Sequence, residues 1–155
     1  MMSSASYLQV CVPAPVGGLS GPLFAEWIER VLSNLNLDWV TVSDIDVAAE
    51  SRPQLALNAH EARVMQTSTL VSLMRRAAQV VWASLFFCRT ESDAKRVQPE
   101  ETYEESTEKA IATVRVVDAS YVYVIGKEQV LRGVEKILPP GAIHVGSIED
   151  MEFPE

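Results

Sequence analysis

Asp44 and Asp46 stand two apart in "SDID", so a strand through them would aim both carboxylates at one face. Paired carboxylates can hold Mg²⁺, usually with a phosphate as co-ligand. A strand that ends in a polar turn explains the same residues with nothing bound, and it is the stronger reading. The segment "VGGLSGP", Val16 to Pro22, offers a second candidate. Glycines ahead of a helix can cradle phosphate on backbone N–H groups. Neither the Walker spacing nor GxGxxG is present, no Lys or Arg lies nearby, and Pro22 removes one N–H. A turn with Ser20 as helix cap fits better, leaving Gly17–Gly21 as a candidate only alongside Asp44 and Asp46.

Nucleophilic catalysis needs a Ser or Cys held against a His. The chain has two histidines, His60 at a helix-entry position and His144 in a strand-like run, and no GxSxG elbow. Zinc needs a cluster of soft ligands. Cys11, Cys88, His60 and His144 are the whole supply, and no pair of them has CxxC or HxxxH spacing. No metal or other cofactor and no catalytic residue is therefore expected. Both cysteines sit inside apolar runs, as buried free thiols of a reducing compartment do.

Charge is the most uneven property of the chain. Of a net charge of −8, residues 91–109, "ESDAKRVQPEETYEESTEK", carry seven acids against three bases. The segment from Ser147 to Glu155 adds four acids and no base, and the remainder balances at ten of each. Concentrated acid repels nucleic-acid phosphates, which need clustered Lys or Arg. It attracts basic protein surfaces and speeds their association. Glu100, Glu101, Glu104, Glu105 and Glu108 are the residues such a partner would meet; a solvated loop is the plainer explanation of the same run.

The elements that must position these residues follow from periodicity. A chain of 155 residues, 48% hydrophobic and 22% charged, suits one soluble domain that buries ~70% of its unfolded surface. No apolar run approaches the ~20 residues of a membrane span. "MMSSASYLQV" lacks the basic and long apolar regions of a secretory signal, so a cytoplasmic location is expected. Tyr7–Val12 reads as a strand. A helix follows from Pro22, with Phe24, Trp27, Ile28, Val31, Leu32 and Leu35 on one face and Glu26, Glu29, Arg30 and Ser33 on the other. Asp38–Ile45 is a second strand, and Gln54–Leu57 a short edge strand after Pro53. Glu61–Ala78 reads as a helix with Val64, Leu70, Val71, Met74, Ala77 and Ala78 inward. "TST" weakens its middle, which would delay its start to Ser68. Arg75 and Arg76 then suit its C-terminal dipole.

Val80–Cys88 is apolar on both faces, as a central, doubly covered strand is. The acidic segment reads as loop with one helical turn at "TYEEST". Ala110–Val117 and Tyr121–Ile125 form a hairpin around "DAS", with Asp118 placed to bond its own backbone. Val130, Leu131, Val134, Ile137 and Leu138 make a third amphipathic helix, ended by Pro139, Pro140 and Gly141. Ala142–Ile148 is a last strand. Tyr121 and Tyr123 share a strand face with Ile125. Exposed, they would form an aromatic binding surface; covered by the following helix, they are core, the stronger reading. The element order implies an α+β domain, about three helices on a mixed, mostly antiparallel sheet.

"FAEWIERVLSNLNLDWVTVSD" and "TYEESTEKAIATVRVVDASYVYVIGKEQVLRGVEKI" together resemble a family of small bacterial proteins known only as a domain of unknown function. The shared pattern is a helix leading into a Trp-containing strand, then a VVDS-x-Y hairpin leading into an amphipathic helix. Asp118 and Tyr121 fall at matching places, and Ala119 is one residue extra. The resemblance covers about half the chain, implies the fold, and brings no catalytic residue with it. By class alone, the chain is also similar to bacterial immunity proteins, which are small, acidic, single-domain and without catalytic motifs. The expected function is thus a non-catalytic cytoplasmic module that binds a basic protein, such as a toxin, and neither nucleic acid nor membrane. The alternative is a small-ligand sensor or enzyme with a pocket near Gly17–Gly21 and Asp44/Asp46.

Overall fold

The computed structural model describes residues 6–11, 20–32, 35–48, 63–97, 105, 109–117, 121–126 and 143–145. Its elements are β1 (Ser6–Cys11), α1 (Gly21–Leu32), β2 (Trp39–Ala48), β3 (Arg63–Gln66), α2 (Thr67–Met74), β4 (Gln79–Cys88), α3 (Glu91–Lys95), β5 (Ala112–Val117), β6 (Tyr121–Gly126) and β7 (Ile143–Val145). The seven strands make one sheet in the order β3-β2-β4-β5-β6-β1-β7, and their six ladders are all antiparallel. The fold is α+β.

Helix α1 begins as its sequence implies. The Ser20 hydroxyl accepts a hydrogen bond from Leu23 N at 3.2 Å, and the Ser20 carbonyl accepts from Phe24 N at 3.0 Å. The first satisfies an N–H group that the first turn would leave unpaired, and the second is the helix's first backbone bond. Phe24, Ala25, Ile28 and Leu32 are buried against the sheet, while Glu26, Glu29 and Arg30 face solvent. Leu70, Val71 and Met74 of α2 extend the same apolar layer.

Below the helices, Val40, Val42, Leu85, Phe87, Ala112, Val114, Val116, Val122 and Val124 form the sheet's contribution to the core. The opposite face is covered as well. Thr41, Phe86, Cys88, Thr113, Val117 and Ile125 point there by alternation and are all buried. Strand β4 is therefore covered on both faces from Ala83 to Cys88, as its continuous apolar run implies. Towards its N-terminal end Val81 is half-buried and Trp82 is exposed.

Two elements depart from the periodic reading. Arg63–Gln66, expected within a helix, is a strand paired with β2 from Trp39↔Gln66 to Val42↔Arg63. Val64 consequently lies on a strand, and Ala78 is exposed rather than inward. The chain changes from strand to helix at Thr67. Its N–H donates to Asp38 O at 2.8 Å and its hydroxyl to Leu37 O at 2.7 Å. Both bonds fasten the start of α2 to the turn before β2. Helix α3 occupies the first part of the acidic segment, with Thr90 Oγ1 accepting from Asp93 N at 3.1 Å. The candidate strand at 54–57, the helix at 130–138 and the turn around Asp118 lie outside the described residues.

Candidate functional site

The first candidate pair is reshaped by an irregularity in the β2–β4 ladder. Strict alternation through Val40 and Val42 would carry Asp44 and Asp46 to the core face, where unpaired charge is costly. Three steps along β2, Ser43 to Asp46, oppose two along β4, Ser84 to Trp82. That extra residue is a β-bulge, and Asp44 sits in it with φ 48°, a conformation Asp tolerates better than most side chains. Ile45 and Val47 then face the core, and both aspartates are exposed. One step further, Asp46 to Val47 opposes Trp82 to Val80, so β4 carries an extra residue of its own at Val81. The aspartates thus mark a bulge, and among the described residues no three His, Cys, Asp or Glu side chains gather where a metal could be held.

The glycine segment has a structural explanation at its one described glycine. A Cβ on Gly21 would overlap the carbonyl oxygens of Met74 and Ala77, so this residue lets α1 start hard against the end of α2. Gly17 and Gly18 lie outside the described residues. Tyr123 is a correction to the surface-aromatic alternative. It is fully buried, because β6 lies inside the sheet between β5 and β1 and both sheet faces there are covered. The Tyr121 side chain lies outside the described residues.

Cys88 is a free, buried thiol. Burial, with the Asp93 carboxylate adding to it, pushes its pKa up to about 11, and its Sγ donates to Phe86 O at 3.9 Å. A thiol held neutral in this way is a poor nucleophile and metal ligand. His144 lies on β7 opposite Leu8, while His60 and the Cys11 side chain lie outside the described residues.

In the acidic segment, the three bases are each engaged inside it. Lys95 Nζ is 3.9 Å from Glu91, and Arg96 is 3.9 Å from Asp93. Lys109 Nζ donates to Arg96 O at 3.1 Å. Together with the bond from Ile111 N to Phe87 O at 2.9 Å, that contact ties the end of the segment to its beginning. The Thr41 hydroxyl, from β2, donates to Ala94 O and anchors α3 to the sheet. Of the five glutamates singled out by sequence, Glu105 is described, in a helical turn, and is exposed. Glu100, Glu101, Glu104 and Glu108 lie outside the described residues.

A feature with no signal in the sequence is a groove of about 510 Å³ between α1, the turn at 36–38 and α2. Ile28, Leu32, Leu37 and Val71 line it together with Thr67, Ser68 and Ser72. The Glu29–Arg75 ion pair joins the two helices at its edge. Arg75, a helix-end cation by sequence, thus also bridges elements far apart in the chain. Between α1 and the sheet lies an apolar gap of only about 20 Å³. Comparison of the chain with protein-family models, curated proteins and solved structures finds no match. No helix among the described residues is long and apolar enough to cross a membrane.

Proposed function

We propose that this chain is a non-catalytic protein-binding module of the immunity-protein kind, which engages a basic partner such as a toxin in the cytoplasm. The residues assigned to contact are Glu100, Glu101, Glu104, Glu105 and Glu108. The observation that carries this reading is the acid excess of residues 91–109, seven acids to three bases. That excess survives any internal pairing, and all three bases already make contacts within the segment. Carboxylates presented together can pair with Lys and Arg of a partner and raise its rate of encounter.

The competing small-ligand reading required a polar cavity near Gly17–Gly21 and Asp44/Asp46. Among the described residues, Gly21 is packed against α2 and the aspartates are exposed at a bulge. Among the described residues, the gap between α1 and the sheet has room for about one water and no polar group to bind it, and the larger groove between α1 and α2 is lined by neither Gly21 nor Asp44 nor Asp46.

The test is a tagged pull-down from the native host, washed at low and then high salt, followed by reversal of all five glutamates to lysine. One stoichiometric basic partner weakened by salt is expected. Charge reversal should slow its association by roughly 10- to 1,000-fold at low ionic strength. Binding and salt dependence unchanged by the five reversals would overturn the assignment.

A further inference from the structure

We draw no further inference here: the strongest candidate, the open groove of about 510 Å³ between α1, the turn at 36–38 and α2, joins the N-terminus of α2 to exposed side chains whose Glu29–Arg75 ion pair is already made, and nothing in the structure shows what covers it.

Discussion

Cys88 and Gly21 are the two residues whose surroundings fix the sign of a measurable effect. The Cys88 thiol is held neutral in the folded chain, with its pKa raised from 9.0 to about 11. The folded state therefore binds the proton more tightly than the unfolded one. Its contribution to stability is complete below pH 9 and is lost as pH rises towards 11. Cys88→Ala should flatten the fall in urea midpoint across that window relative to the parent chain. In the native protein at pH 8, the peptide containing Cys88 should also resist alkylation until denaturant is added, as followed by mass spectrometry. At Gly21 the usual expectation is reversed. Alanine in place of an exposed helical glycine stabilises by about 1 kcal/mol. Here the added methyl meets two backbone carbonyls that cannot step aside. Gly21→Ala should destabilise by about 1–3 kcal/mol in urea unfolding.

Among the described elements, α3 is a short helix that a hydrogen bond from β2 fastens to the sheet. It spans five residues, too few for a helix to persist on its own propensity. Its buried contacts are Ala94 and, just beyond it, Val97. Thr41→Val keeps the shape of the strand side chain and removes the hydroxyl that serves the Ala94 carbonyl. The Ala94 carbonyl keeps the bond it accepts from Val97 N at 3.3 Å, so the loss should be that of one ordinary hydrogen bond, about 0.5–1.5 kcal/mol. Amide exchange should speed up across 91–97 more than across α1.

The same comparison explains what the sequence could and could not reveal. Helix α1 was legible because its cap, its apolar spacing and its charged face all agree, and its contacts with Ser20 are local. Strand β4 was legible because a doubly covered strand has an unbroken apolar run. Strand β3 was not, since four residues carry too little periodicity to outweigh the helix beside them, and β2 decides their conformation. The Glu29–Arg75 bridge and the Thr41 tether join residues far apart in the chain, so no local pattern announces them. For the binding assignment, the sequence supplied the charge, and the structure adds the closed neck at Arg96, Lys109 and Ile111 and the exposure of Glu105.

At the scale of the whole molecule, β4 from Ala83 to Cys88 and β6 from Val122 to Gly126 are buried on both faces of the sheet. Strands buried on both faces ordinarily make a chain intolerant of any change in length, because a one-residue slip turns every following side chain over. The paired irregularities at Asp44 and Val81 alter that. Before them β2 and β4 pair as Ser43↔Ser84, and after them as Val47↔Val80 and Ala48↔Gln79, so each strand holds one residue beyond what the ladder requires. Deleting Asp44 should therefore leave Ile45 and Val47 facing the core and lower the unfolding free energy measured in urea by no more than ~1 kcal/mol, at the low end of what single changes cost. Deleting Arg115 from β5, whose ladders run without interruption on both sides, should send Val116 and Val117 to opposite faces and abolish cooperative unfolding. Two strands inside the sheet thus carry slack of the kind usually confined to loops, and homologous chains one residue shorter at these two points would still close the same sheet.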